Sequence, residues 1–476
     1  MLKSGSRILL IIITILVSNC TTMEKKITAS YDIVIEGGRV MDPESALDAI
    51  RNIGITDGQI SIISEDKLEG HKVIDAKGLV VSPGFIDLHA HGQNEESYSL
   101  MVQDGVTTAF ELEVGTWNVP GWYDERKDCQ IINYGVSAGH IQVRMKAMGD
   151  SGDFLPADLG GSTPTSKEKL AEIKAGIREG LHQGAVGIGF GLAYTPAATF
   201  EEFETILQIG ADTGAPSFIH LRGGLEGLQE AIEAVRKTSA PLHIVHVNSS
   251  GGSQTAVFMK EIAGARDSGL DITTEAYPYE AGMTSLESAL FDEWASWSDE
   301  KIGQLQWVET GEFLTRKTLP VFREQRGEVI VHDRTEEMTL AAIKNPITII
   351  ASDGFFANGK GHPRTSGTYS KILRKYVREK QQFPLMEALR RMTFEPARRL
   401  ESYVPAMTKK GRIQEGSDAD LTIFDPLTVT DNATYLEPGL PSEGIKFVII
   451  NGVIVVEDDK LIPDRRPGKP VRNRIQ

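Results

Sequence analysis

Apolar and polar positions follow two different patterns along the chain. From Tyr31 to about Pro83, and again from about Gly411, short β-rich runs are broken by tight turns. Ile33 to Ile35 run into Gly37-Gly38, Asn52 to Thr56 meet Asp57-Gly58, Asp420 to Phe424 form a further run, and Phe447 to Ile450 meet Asn451-Gly452. Asp-Gly and Asn-Gly between such runs are hairpin signals, because the favoured turn needs positive φ at both central residues. Residues 31–82 and 406–476 together predict one small β-sandwich domain built from both ends. Residues 83–405 alternate apolar runs with helical segments. The runs are Phe85–His89, Val106–Glu113, Ile141–Met145, Ala185–Ala193, Ser217–Leu221, His243–Val247, Ile272–Ala276 and Ile347–Ser352. Helices are predicted over Lys167–Gln183, Phe200–Thr213, Leu225–Thr238, Gln254–Asp267 and Leu385–Leu400, with Thr199 and Glu202 as a capping box. This alternation predicts parallel strands with crossover helices, and eight repeats predict an α/β fold of the (β/α)8 TIM-barrel type. A stretch at about 280–345 interrupts the pattern, holds Trp294, Trp297 and Trp307, and predicts an inserted lid or subdomain.

The start of the chain has a different character. Lys3 and Arg7 precede an apolar run from Ile8 to Val17, too short to span a bilayer as a mature helix but suited to a signal-peptide core. Leu16-Val17-Ser18-Asn19-Cys20 resembles a bacterial lipobox. It implies a signal peptide over 1–19, lipidation of Cys20, a polar tether over 20–30, and an exported protein anchored to the membrane on the periplasmic or cell-surface side. An ordinary signal peptide cut near Cys20 is the alternative.

Composition narrows the chemistry. The 476 residues carry a net charge of −16, which disfavours nonspecific nucleic-acid binding, since phosphates are repelled. Two cysteines, Cys20 and Cys129, build neither a disulfide framework nor a cysteine-rich zinc module, and Cys129 is expected to be a structural thiol. The histidines carry more information. His89 and His91 are two apart in the first run and so share a face. His220 lies near the end of the fifth run, His246 near the end of the sixth, and Asp353 directly follows the eighth. His243 is three residues before His246 and is expected to face away and pack. Catalytic groups of such barrels collect where strands meet the following loops, and four imidazoles with a carboxylate suit a zinc shell of one or two ions. In the second run Glu111 and Glu113 share a face, and a carboxylate buried there needs a partner such as a metal. Glu113, nearer the strand end, is the expected ligand. The fourth run, "AVGIGFGLA", offers no bridging lysine.

These features resemble the amidohydrolase superfamily over nearly the whole chain. The segments are "VSPGFIDLHAHG", "GVTT" and "KGRIQEGSDADLTIFD". Within it the chain looks most like the N-acyl-D-amino-acid deacylases, through "GFGLAYTP", "FIHLRGG", "EAYPYEAG", "SDG", "GHPRTSGT" and "RRMTFEPARRL". Two positions depart from that family: Glu replaces the usual metal-binding Cys after the second run, and Asn248 stands where a Lys is common. The resemblance implies a metal-dependent hydrolase that cleaves an amide C–N bond of a small acylated substrate. It implies a metal set of His89, His91, Glu113, His220, His246 and Asp353, with Asp353 also shuttling the proton from water to the departing amine. Tyr194, Arg222, Asn248, Tyr279 and Arg364 are the implied substrate-binding residues. Hydrolysis of a cyclic amide or a dipeptide is an alternative, as is a catalytically inactive binding lipoprotein.

Overall fold

The computed structural model describes Met1 and residues 30–475. The expected signal peptide beyond Met1, Cys20 and the expected tether before Ser30 lie outside them. No helix among the described residues is long and apolar enough to cross a membrane.

Both chain ends contribute to one nine-stranded sheet. Ser30–Asp42 runs antiparallel to Leu47–Thr56, and pairs in parallel with Glu69–Asp75 along its first half and Val80–Pro83 along its second. The register shifts between Ile35 and Gly38, so one long strand serves both arms of the bent sheet. Val80–Pro83 then pairs with Leu421–Phe424, which joins the C-terminal strands Ile445–Ile450 and Val453–Glu457. Ile35, Ile53, Ile74, Leu421 and Ile449 meet in a core shared by both ends. Both hairpin signals hold: Asp57-Gly58 and Asn451-Gly452 adopt positive φ at each residue. The two turns stack so closely that a Cβ on Gly452 would lie 2.6 Å from Gly58 Cα.

Residues between these ends form an eight-stranded parallel sheet in which sequential strands are neighbours. Its strands are Phe85–Asp87, Val106–Thr116, Asn133–Gly139, Ile188–Gly191, Ser217–His220, Leu242–Ile244, Ile272–Ala276 and Thr348–Ile350. Nearly all their residues are buried, as expected where helices cover the outside and side chains fill the inside. The barrel closes beyond the last strand, where Ala90 bridges Gly354 and the Asp353 amide donates to the His89 carbonyl at 2.7 Å. The predicted helices form, over Lys167–His182, Phe200–Thr213, Gly224–Thr238, Thr255–Asp267 and, with a widened π turn in its middle, Leu385–Glu401.

Three expectations need correction. Ile141–Met145 is not the third strand but part of a helix, His140–Met148; the strand is Asn133–Gly139, "NYGVSAG". That strand is glycine-rich for a steric reason. A Cβ on Gly139 would sit 1.9 Å from the Val114 carbonyl, where the second strand bulges. Its β-forming signal is weak for the same reason. Thr199 does cap its helix by accepting from the Glu202 amide, but Glu202 does not reach back. Its carboxylate is turned instead to His140, Arg144 and Thr165. Cys129 is exposed rather than packed in a core.

The stretch between the seventh and eighth strands holds a three-stranded antiparallel sheet, Gly282–Ser285, Leu305–Trp307 and Glu328–Val331. Leu286, Phe291, Ile302, Trp307 and Leu319 give it a core of its own.

Candidate metal centre

Strand ends deliver six side chains to one point. His89 and His91 follow the first barrel strand, Glu113 sits in the bulged end of the second, and His220 ends the fifth. His246 and Asp353 lie just past the sixth and eighth. Both hold left-handed backbone, at φ 32° and 53°. For non-glycine residues this conformation costs on the order of 1–3 kcal/mol, and such strain collects at functional sites.

Second nitrogens define what the cluster wants. His89 Nδ1 donates to Glu275 at 2.6 Å, and His91 Nδ1 donates to Glu111 at 2.8 Å, because a carboxylate only accepts. In the neutral imidazoles each Nε2 then carries a lone pair, and the two Nε2 atoms face each other at 3.0 Å. Glu113 brings another acceptor to 2.7 Å of His89 Nε2, and Asp353 Oδ1 lies 3.5 Å from His89 and 3.4 Å from His91. Converging lone pairs repel unless a cation sits among them, so the donor set fits a metal. Ligand atoms of His89, His91 and Asp353, and likewise of His89, Glu113 and His246, lie within 4.8 Å of one another. His220 Nδ1 stands 3.0 Å from Glu113 and 3.0 Å from His246 Nε2. Glu113 thus lies between two ligand groups and could touch one ion or join two.

Electrostatics agree. Burial pushes Glu113 up, but His220, His246 and His89 outweigh it and hold its carboxyl well below the usual range. Burial likewise opposes ionisation of Asp353, and Arg364 together with His89 reverses the balance. With no metal bound, the same carboxylates favour a proton in the cation's place: burial pulls His89 down, while Asp353, Glu275 and Glu113 lift it to about 10.

The cluster forms the floor of a cavity of about 340 Å³, within the range of small-molecule sites. Tyr194 lines it and hydrogen-bonds Thr284 of the inserted segment through its hydroxyl. Arg364 lines it, pairs with Asp353 Oδ2 at 2.8 Å, and lies over the Tyr277 ring. The other three expected substrate residues are not on the cavity wall. Arg222 turns back to Glu230 and to the carbonyls of Pro196 and Ala198, so its donors are engaged in structure. Asn248 donates to the Tyr277 carbonyl from a fully buried position. Tyr279 donates to the Pro363 carbonyl beneath Lys371. His243 packs as expected, donating to Glu275, and so braces the carboxylate that orients His89. Glu275 itself carried the same signal as the histidines, a charged residue at the end of an apolar run. Arg334 lines the cavity from the inserted segment, bonded to Ser249 and Tyr277. No strand pattern marks it.

Residues 72–456 match the amidohydrolase family. The chain is 27% identical over 493 residues to N-acyl-D-glutamate deacylase of Alcaligenes xylosoxydans xylosoxydans, covering 93% of this chain and 96% of that protein. It is 26% identical to D-aminoacylase of the same organism, covering 92% and 96%. The crystal structure of N-acyl-D-glutamate deacylase from Bordetella bronchiseptica, complexed with zinc and a phosphonate mimic of the tetrahedral intermediate, superposes with a TM-score of 0.82 at 25% identity, covering 93% of this chain and all of that one.

Proposed function

The chain belongs to the amidohydrolase family, and from that premise we propose that it is a zinc-dependent hydrolase of N-acyl-D-amino acids. The observation that carries this reading is the pair of opposed imidazole lone pairs at 3.0 Å, beside an arginine-paired aspartate on the floor of a cavity. The relatives named above supply the substrate class.

His89, His91, Glu113, His220, His246 and Asp353 would hold the metal. Zinc bound there supplies a Lewis acid that lowers the pKa of a water and polarises the scissile carbonyl. Asp353, a carboxylate held ionised by Arg364, would serve as the base for the attacking water and as the acid for the leaving amine. Glu275 and Glu111 fix the tautomers of His89 and His91, so that each presents Nε2. Arg364 and Arg334, both over the Tyr277 ring, supply the cations for a substrate carboxylate.

A zinc-loaded sample assayed against N-acetyl and N-formyl amino acids and dipeptides, each in D and L form, tests the reading. Turnover of acylated D-amino acids above the rest is expected. Turnover confined to dipeptides or cyclic amides would replace it with the alternative hydrolase, and a chain without zinc affinity would favour a binding protein. We also propose lipid anchoring through Cys20. Incorporation of an alkyne-labelled fatty acid, abolished in the Cys20→Ser variant, is the expected outcome, and labelling that survives the substitution would exclude that anchor.

A further inference from the structure

One acidic side chain on the cavity wall plays no part in the proposed metal set. Glu328 opens the strand Glu328–Val331 of the inserted subdomain and lies directly across from Ser285. The Ser285 hydroxyl donates to its Oε1 at 2.7 Å. Oε2 has no partner among the described residues, and Glu328 joins no salt bridge. The arginines on the same wall do not pair with Glu328: Arg364 pairs with Asp353 and Arg334 with Asp333. Lys301 lies over the Trp297 ring, exposed to solvent. A half-buried carboxylate with one free oxygen and no directly paired cation is costly to keep, and a cation entering the cavity would relieve that cost.

We propose that Glu328 is a specificity-determining residue that selects substrates with a positively charged side chain, of the N-acyl-D-arginine or N-acyl-D-lysine class. This rests on the amide-hydrolase reading above and names the side chain it left open. An acidic substrate side chain would face Glu328 as a like charge, whereas a guanidinium or ammonium would complete a charge-assisted hydrogen bond at Oε2. Burial and the neighbouring Glu287 push the Glu328 carboxyl up from its ordinary value, and the Ser285 hydroxyl, His91 and Arg364 only partly offset them. Ser285 fixes the carboxylate on a strand rather than a loop, which gives it a defined direction.

The zinc-loaded full chain is assayed with N-acetyl-D-arginine, N-acetyl-D-lysine, N-acetyl-D-leucine and N-acetyl-D-glutamate. Wild type is expected to favour the basic pair over leucine by about tenfold or more in kcat/KM, with glutamate last. In Glu328→Gln the arginine-to-leucine ratio falls by about tenfold, and in Glu328→Lys the order of arginine and glutamate reverses. Zinc content and melting temperature, measured on each variant, verify that the metal centre and fold persist. A wild type that prefers N-acetyl-D-glutamate, or a ratio unchanged in folded, zinc-loaded Glu328→Gln, overturns the role of Glu328 while leaving the hydrolase reading intact. No turnover of any of the four by wild type overturns both.

Discussion

The barrel contains two buried clusters of imidazole and carboxylate that look alike in composition and behave oppositely. In one, Glu202 accepts from His140 at 2.8 Å, from Arg144 at 2.6 and 2.7 Å, and from Thr165 at 2.7 Å. Arg144 spends its remaining donors on the carbonyls of Gly160 and Thr163. Burial opposes the Glu202 charge, yet these partners hold its carboxyl at about 2. The Glu202 carboxylate is thus fully matched, although His140 Nδ1 is buried without a partner among the described residues. In the other, Glu111, Glu113, Glu275 and Asp353 surround the histidines, Arg364 is the one arginine or lysine paired with them among the described residues, and two imidazole Nε2 atoms point at each other. Burial and residue type do not distinguish a structural cluster from a metal site; the count of cations and the direction of lone pairs do.

The largest expected effect is on rate. Asp353→Asn keeps the fold and, when loaded with zinc, loses roughly 10²- to 10⁴-fold in turnover. Near-normal turnover in such a sample would remove Asp353 as the proton carrier. His220→Ala and His246→Ala are expected to lower zinc content together with rate; unchanged zinc in both would take them out of the ligand set. On the Glu202 cluster the effect moves to stability. Glu202→Ala leaves Arg144 buried without its counter-charge and costs on the order of 3–5 kcal/mol, read as a lower denaturation midpoint at unchanged zinc stoichiometry. Loss of zinc with little loss of stability would erase the distinction between the clusters. Glu275→Gln falls between them: the fold holds, and zinc affinity drops by about 10- to 100-fold because His89 loses its orienting acceptor. A titration with a zinc buffer measures it.

How far the sequence reached follows from where each residue sits. His89, His91, Glu113, His220, His246 and Asp353 were legible because each is a polar residue at the end of an apolar run, and parallel strands bring such ends together. The hairpins were legible through Asp57-Gly58 and Asn451-Gly452. The third strand was hidden by Gly135 and Gly139, which close contacts demand and which carry no β signal. Arg222 misled because the backbone beyond His220 carries its guanidinium back to Pro196 and Ala198. Arg334 and Glu328 were invisible because they reach the cavity from a subdomain folded around its own core, so no local period marks them.

The last expected effect asks whether hydrogen-bond donors can replace a cation. Asp104 is fully buried and accepts from the Tyr369 amide at 2.8 Å, the Ser370 amide at 3.0 Å and the Ser442 hydroxyl at 2.8 Å. It joins no salt bridge among the described residues. Burial outweighs these donors and lifts its carboxyl to about 7. An unfolded aspartate titrates near about 3.9. The folded state therefore keeps the proton where the unfolded chain has released it. The stability from this group is full below about pH 4 and is lost as pH rises through about 7, with a slope of at most about 1.4 kcal/mol per pH unit. Asp104→Asn has no such proton to lose. Denaturation midpoints of wild type and variant, compared between about pH 5 and 7.5, should show wild type losing ground steadily as pH rises. A constant difference would mean that three donors suffice to hold a buried carboxylate ionised. Backbone amides could then do at Asp104 what Arg144 does at Glu202, and surplus carboxylates around His89 would no longer by themselves call for a cation, leaving the opposed lone pairs to make that case alone.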